Sequence, residues 1–243
     1  MYKKPLRDLL HQYCNDYLEG NIPPECLITK LVLVPKKGDL SIVANYRGVA
    51  LISVLLKLMN LLLLFRLKGL DRFLRVGQNG FRPARNTSQH VLALQLLAET
   101  SSPLAVCFVD FSKAFDSVSH ESLRQCLAAY QIPHRLVSCI LQCYTNHAVS
   151  VAGTGEQYEL RSGVLQGDTL APYLFILLLN LLLEEADASF PLTPSAPAPP
   201  PSSSRYSFRP RRPTFKLAIA ELAFADDVAF PGVRLTGVVD TLR

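Results

Sequence analysis

AVCFVD at residues 105–110 and LAFADDVAF at residues 222–230 are the two stretches that decide the fold of this chain. The first is a wholly apolar strand that ends on Asp110, and the second has two apolar runs around Asp226 and Asp227, which is typical of a β-hairpin with an acidic tip. A carboxylate at the end of a buried strand is costly unless it is paired or coordinated, and adjacent like charges repel unless a cation lies between them. Each segment alone fits either a metal site or an ordinary strand end or turn.

Helices and strands alternate around these two segments. We expect a strand at residues 27–35 that runs into a polar turn at 36–39, and a hairpin at 148–160. The predicted helices cover residues 50–67, residues 88–99 with a buried-helix pattern, a helix capped by Ser119, a helix opened by Pro133, and an apolar helix from Pro172 to near Glu185. Helices and strands are thus mixed throughout, and we expect an α+β fold class.

The composition is that of a folded chain with an uneven charge. The 243 residues are 49% hydrophobic, enough for one large or two small cores. Residues 1–90 hold 14 Lys+Arg against 6 Asp+Glu, a net +8, whereas residues 91–243 hold 11 against 14, a net −3. A basic first third beside a slightly acidic remainder suits a protein that holds a phosphate backbone and metal ions, although solvated surface lysines would look similar.

Three further features of the sequence limit where the protein is located and whether its cysteines bind zinc. No secretory signal peptide follows Met1, and the longest apolar uncharged stretch, residues 169–183, is 15 residues long, short of the roughly 20 that span a bilayer. We therefore expect no membrane association and a location in the nucleus or cytoplasm. The six cysteines contain no Cys-x-x-Cys pair, which predicts buried free thiols rather than a zinc site.

The sequence around the carboxylates resembles a known family. FVDFSKAFDSV at residues 108–118 and FADDV at residues 224–228 resemble the two metal-binding motifs of reverse transcriptases, most closely those of non-LTR (LINE-type) retrotransposons. Between them, SGVLQGDTLAP at residues 162–172 resembles the third palm motif. Upstream, VPKKGD (residues 34–39) and NYRG (residues 45–48) resemble fingers motifs, and QNGFRP (residues 78–83) resembles the segment before the palm.

The resemblance covers about residues 25 to 230 and implies a right-hand polymerase fold with fingers and palm only, an antiparallel palm sheet and packed helices. It predicts truncation after the third palm motif, because no thumb follows and no Lys stands beyond Asp227. The expected division is a helical lead-in at 1–26, a fingers-like region at 27–103, the first part of the palm at 104–190, a disordered Pro/Ser-rich insert at 191–213, and the acidic palm hairpin with a truncated C-terminus at 214–243.

The resemblance also implies the site residues. Asp110, Asp226 and Asp227 would be the catalytic residues and the ligands of two Mg²⁺ ions, or of Mn²⁺ in their place, whereas Asp116 is left outside the metal site. The residues expected to bind the nucleotide are Lys36 or Lys37 with Arg47 at the triphosphate, Phe115 as the steric gate under the sugar, and Gln166 with Gly167 against the incoming nucleotide and template. Core packing is the alternative role for Phe115.

The implied function is that of an RNA-directed DNA polymerase with an RNA template, a DNA primer and deoxynucleoside triphosphates as partners. The main alternative is a catalytically inactive, retrotransposon-derived relic that keeps RNA binding. Two further alternatives are an RNA-dependent RNA polymerase with similar palm motifs and an interaction scaffold with acidic turns.

Overall fold

A computed structural model of the chain describes residues 3–100, 104–189 and 221–232. The predicted insert at 191–213 lies outside the described residues, as do residues 214–220 and 233–243 of the last predicted segment. The chain divides into two compact units: one comprises Met1–Leu74 and Phe111–Leu181, and the other comprises Arg75–Asp110 and Leu182–Arg243. These units are defined by which parts of the chain lie close together in space. The division into fingers and palm remains a prediction.

The described residues form both helices and strands, as the predicted α+β class requires. The helices are α1 (Lys3–Leu18), α2 (Val54–Leu67), α3 (Thr87–Thr100), α4 (His120–Ala129), α5 (His134–Thr145) and α6 (Ala171–Ser189). The strands are β1 (Ile28–Pro35), β2 (Tyr46–Leu51), β3 (Ala105–Asp110), β4 (Ala148–Val151), β5 (Gln157–Glu159), β6 (Leu222–Phe224) and β7 (Asp227–Gly232). None of the described helices is long and apolar enough to cross a membrane.

The first unit contains a four-stranded mixed sheet in the order β2-β1-β4-β5. Strand β1 pairs antiparallel with β2 and parallel with β4, and β4 pairs antiparallel with β5. The predicted strand at 27–35 and the predicted hairpin at 148–160 are confirmed. The helix predicted from residue 50 begins later, because Ala50 and Leu51 continue the pairing of β2 with β1 and the helix starts after Ser53. Apolar residues lie on both sides of this boundary with only Ser53 between them, so the local pattern does not show where the strand ends and the helix begins.

Helices α2, α4, α5 and α6 supply most of the core of the first unit. Helix α6 is buried all round from Tyr173 to Leu179, as expected of a helix that is apolar on every face. The backbone N–H of Ser122 donates to the side-chain hydroxyl of Ser119 at 2.9 Å, so the predicted N-cap of α4 is confirmed. The fully buried large side chains in this core include Leu56, Met59, Leu63, Leu123, Leu127, Ile140, Tyr144, Leu174, Ile176 and Leu177.

The second unit contains a three-stranded antiparallel sheet in the order β3-β7-β6. The predicted hairpin around Asp226 and Asp227 is confirmed, with β6 and β7 as its strands. The prediction that helix 88–99 is buried is wrong, because Val91, Leu92 and Leu96 of α3 are 55%, 57% and 43% exposed. An apolar sequence alone does not show whether a partner surface exists to cover it.

All six cysteines are free thiols, as predicted. Cys26, Cys126, Cys139 and Cys143 are buried, which confirms the expected burial for these four. Cys14 and Cys107 are only partly buried.

Candidate active site

The pairing of β3 with β7 brings the predicted carboxylates to one end of the second unit's sheet. Asp110, the last residue of β3, is the direct cross-strand partner of Asp227, the first residue of β7. Directly opposite residues in an antiparallel pair point to the same face, with their Cβ atoms about 4.5 to 5.5 Å apart. Asp226 precedes Asp227 at the tip of the hairpin, so all three carboxylates lie at this end of the sheet.

The tip itself has an unusual backbone. Only Ala225 and Asp226 separate β6 from β7, and Phe224 pairs with Asp227 across the turn. Ala225 has φ of +58°, in the left-handed region, which costs a residue other than glycine about 1–2 kcal/mol. Such a conformation persists only where the surrounding structure holds it in place.

The donor chemistry of the three carboxylates fits a divalent ion such as Mg²⁺, which prefers hard oxygen ligands. Within the described residues, no group of three or more His, Cys, Asp or Glu side chains is arranged so that it could hold a metal ion. The register of β3 with β7 nevertheless brings the three carboxylates to one end of the sheet. Asp110 and Asp227 are exposed and Asp226 is partly exposed, so these side chains have room to rotate.

The premise that Asp110 ends a buried strand is wrong. Its side chain is exposed, and its strand neighbour Phe108 is 74% exposed. The cost of burying a charge therefore does not argue for a cation here. What remains is the geometric argument, in which the register of β3 with β7 sets Asp110 opposite Asp227.

The β1–β2 hairpin of the first unit carries the basic residues predicted to hold the triphosphate. Lys36 and Lys37 follow β1 and are exposed, and Arg47 on β2 is exposed and pairs with Val34 of β1. The backbone N–H of Lys36 donates to the carbonyl of Asn45 at 2.7 Å, which closes the hairpin end. The structure thus brings these three cations to the same end of one hairpin.

An Asp residue orders the loop that links the two strands. The backbone N–H of Ser41 donates to Asp39 Oδ1 at 2.9 Å, and this hydrogen bond lowers the pKa of the Asp39 carboxyl. The Asn45 side-chain amide donates to the carbonyl of Asp39 at 2.6 Å. The loop that presents the two lysines is therefore tied down by its own polar groups.

Gln166 and Gly167 are fixed against β2 by a close backbone contact. The N–H of Ala50 donates to the carbonyl of Gln166 at 2.8 Å. Gly167 has φ of +116°, and a Cβ at this position would lie 2.6 Å from the carbonyl oxygen of Ala50. Only glycine meets both demands, because it has no Cβ and adopts positive φ at little cost.

Asp168 is a buried residue to which the sequence motifs assigned no role. It is 5% exposed, and its carboxylate accepts hydrogen bonds from Asn60 Nδ2 at 2.8 Å and from the Tyr144 hydroxyl at 2.7 Å. Burial, reinforced by the nearby Asp168, raises the pKa of Tyr144 well above its ordinary value, so the hydroxyl stays a donor. Asp168 anchors the loop that carries Gln166 and Gly167. The one clue in the sequence is a charged residue at the start of a long apolar run.

Phe115 is partly buried and stacks on Phe175 of α6, with ring centroids 5.0 Å apart and an interplanar angle of 24°. This contact supports a packing role for part of the ring, while the exposed part remains available to a ligand. Asp116, beside it, is exposed. A Cβ on Gly163 would lie 3.0 Å from the Cα of Asp116, so the third-motif loop passes close to this segment.

Comparisons with known proteins identify relatives among mobile elements. The family described as "Reverse transcriptase (RNA-dependent DNA polymerase)" matches residues 34–232. The chain is 31% identical over 68% of its length to the Retrovirus-related Pol polyprotein from type-2 retrotransposable element R2DM of Drosophila melanogaster. It is 30% identical over 73% of its length to the Pol polyprotein from type-1 retrotransposable element R2 of Popillia japonica. The matches cover 16% and 25% of these relatives, respectively.

The fold is shared with a solved telomerase. The structure of apo telomerase from Candida tropicalis, truncated from its C-terminal domain, superposes with a TM-score of 0.60 at 13% identity. The match covers 95% of this chain and 50% of the telomerase chain. This likeness confirms the predicted polymerase fold. Because the family match spans most of the chain, the chain belongs to the reverse transcriptase family, with its relatives among non-LTR retrotransposon Pol proteins.

Proposed function

We propose that this chain is the catalytic region of an RNA-directed DNA polymerase. The primer 3′-hydroxyl would attack the α-phosphate of a deoxynucleoside triphosphate, and pyrophosphate would leave. The observation that carries the proposal is the register of Asp110 against Asp227, with Asp226 beside it at the hairpin tip, in a chain of this family. Two-metal phosphoryl transfer requires carboxylates from separate segments that meet at one place, as these do at one end of the sheet.

Reverse transcriptases generally use divalent metal ions, and we assign the ligands here to Asp110, Asp226 and Asp227. Two Mg²⁺ ions, when bound, stabilise the charge on the attacking and leaving oxygens, and Mn²⁺ has the same preference for oxygen ligands. The three side chains would present their oxygens to the ions at this end of the sheet.

The nucleotide would be held by groups of the first unit. Lys36 or Lys37 offers a compact charge to the triphosphate, and Arg47 offers a bidentate fork. Phe115 would exclude a 2′-hydroxyl at the sugar. Gln166 and Gly167, fixed against Ala50, would contact the incoming nucleotide and the template.

The partners we propose are an RNA template, a DNA primer and deoxynucleoside triphosphates. We propose the nucleus or cytoplasm as the place of action, because RNA templates and deoxynucleotides occur together there. We further propose residues 27–103 as fingers and residues 104–190 with 214–243 as palm, following the order of the motifs.

An RNA-templated primer-extension assay with the full 243-residue chain tests the function. Wild type should extend a DNA primer in Mg²⁺, and Asp110→Asn should abolish extension because a metal ligand is lost. The matched control is Asp116→Asn, which changes an exposed Asp six residues away and should extend like wild type. Binding of RNA without extension by well-folded wild-type protein would instead identify an inactive relic.

A further inference from the structure

A short segment with the sequence GQNG (residues 77–80) lies along the free side of the acidic hairpin, within the second unit. The N–H of Ala223 on β6 donates to the carbonyl of Gly77 at 2.9 Å, and the N–H of Asn79 donates to the carbonyl of Ala223 at 2.7 Å. Gln78 pairs with Ala223 as a parallel bridge and is 3% exposed. The segment therefore extends the sheet by one bridge beside β6.

The buried side chain of Gln78 reaches the tip of the hairpin. Its Oε1 accepts hydrogen bonds from the N–H of Ala225 at 3.1 Å and from the N–H of Gly80 at 2.8 Å. Its Nε2 donates to the carbonyl of Ala225 at 3.5 Å. One amide thus contacts both backbone polar groups of the residue that has the left-handed conformation and that directly precedes Asp226.

The segment can lie this close because it has glycine on each side of Gln78. A Cβ on Gly77 would lie 2.1 Å from the carbonyl oxygen of Glu221, and a Cβ on Gly80 would lie 2.2 Å from the nitrogen of Ala225. Neither position accepts a side chain without moving the hairpin backbone, since real Cβ atoms do not approach backbone atoms so closely.

Further contacts hold the segment in place on both sides. The Arg75 guanidinium makes a bidentate ion pair with Glu221, with distances of 2.5 and 2.6 Å, just before β6 begins. Arg82 donates to the carbonyl of Gln78 at 2.9 Å, and His90 Nε2 lies 2.9 Å from the carbonyl of Gly77. Because the acceptor is a carbonyl, His90 must carry its proton on Nε2.

We propose that Gln78 is a positioning residue for the carboxylate pair, because its side-chain amide holds Ala225 in the backbone conformation that aims Asp226 and Asp227. This role deepens the proposed polymerase function and rests on it. A buried amide with a purely structural role would stabilise the fold without affecting metal affinity. Metal affinity therefore distinguishes the two roles, because only a positioning residue acts on the carboxylates through its contacts with Ala225.

The test compares wild type with Gln78→Met, which keeps the side-chain length and removes the hydrogen bonds, and with Gln78→Asn, which keeps the amide but shortens its reach. The matched control is Gln125→Met, at an exposed position on α4. Mn²⁺ affinity is measured by electron paramagnetic resonance, and the exchange of the Ala225 and Asp226 amides is measured by hydrogen–deuterium exchange. The Mg²⁺ concentration for half-maximal primer extension is the third readout.

Both Gln78 variants should exchange the tip amides faster and bind Mn²⁺ about 10- to 100-fold more weakly, the usual effect of losing a group that orients metal ligands. Half-maximal extension should need correspondingly more Mg²⁺, and Gln125→Met should match wild type. Unchanged Mn²⁺ affinity and Mg²⁺ dependence in a variant whose tip amides exchange faster would overturn the positioning role alone, as would failure of both variants to fold. Wild type that neither binds Mn²⁺ nor extends a primer would overturn the proposed function as well.

Discussion

At the scale of single residues, a comparison of two glycines with positive φ separates the energetic cost of backbone strain from the cost of steric contact. Gly153 has φ of +92° and open space within 4 Å of the position that a Cβ would occupy, whereas a Cβ on Gly167 would lie 2.6 Å from the carbonyl oxygen of Ala50. Gly153→Ala should therefore cost about 1–2 kcal/mol from the left-handed backbone alone. Gly167→Ala should cost about 1–3 kcal/mol more, because the neighbouring backbone must shift.

Urea denaturation of both glycine variants measures this difference. Gly167→Ala should also weaken deoxynucleotide binding, because the loop that carries Gln166 would move away from β2. Equal losses of stability in the two variants would show that the close approach of residue 167 to the carbonyl oxygen of Ala50 does not affect stability.

Phe115 tests sugar selection at the same scale. Phe115→Ala should raise the incorporation of ribonucleotides relative to deoxynucleotides, by roughly 10- to 200-fold, the range that a filled or emptied pocket provides. The control is Phe175→Leu, which removes the ring stack at 5.0 Å but keeps the Phe115 ring, and so should lower stability without relaxing selection. The measurement is the ratio of kcat/KM for the two nucleotides. No change of this ratio in Phe115→Ala would assign the ring to core packing.

At the scale of elements, His147 joins α5 to β1 through a neutral ring. Its Nδ1 donates to the carbonyl of Cys143 at 2.9 Å, and its Nε2 accepts from the Thr29 hydroxyl at 2.6 Å. Burial lowers the pKa of His147 below its ordinary value of 6.5, so below that pH the unfolded chain binds more protons than the folded chain. The stability that this ring contributes is fully present above the pKa that His147 has in the unfolded chain, and it is lost as the pH falls below that value.

The free energy of unfolding should therefore be lower at about pH 5.5 than at about pH 7.5, as measured by urea denaturation. His147→Gln should reduce this difference without removing it, because burial also lowers the pKa of His90. His134→Gln changes an exposed histidine at the start of α5 and should leave the difference intact. An unaltered pH dependence in His147→Gln would contradict the assignment.

The elements also show which parts of the structure were predictable from the sequence. Strand β3, the acidic hairpin and the Ser119 cap are local patterns, and all were predicted. The start of α2 was missed because apolar residues precede and follow Ser53 alike. The exposure of α3 was missed because burial depends on a partner surface. The contacts of Asp168 with Asn60 and of Gln78 with Ala225 join residues 108 and 147 positions apart, which no local pattern reveals.

At the scale of the whole molecule, the uneven charge predicts how nucleic-acid binding depends on salt. The net charge of +8 in residues 1–90 includes the exposed Lys37 at the end of the β1–β2 hairpin. Lys37→Gln should reduce the slope of log K against log salt for single-stranded RNA by about 0.7, the value for one lost phosphate contact. Lys4→Gln removes an exposed lysine of α1 and should leave the slope unchanged. Equal slopes in wild type and Lys37→Gln would remove this lysine from the binding surface.

The family membership and the register of Asp110 with Asp227 both support the proposal that this chain catalyses metal-dependent DNA synthesis on RNA. The most direct test is the incorporation of a single deoxynucleotide on an RNA template as Mg²⁺ is titrated, with wild type beside Asp226→Asn. Wild type should show Mg²⁺-dependent incorporation, and Asp226→Asn should lose it while retaining wild-type thermal stability without metal. Incorporation that survives in Asp226→Asn with the same Mg²⁺ dependence would contradict the account.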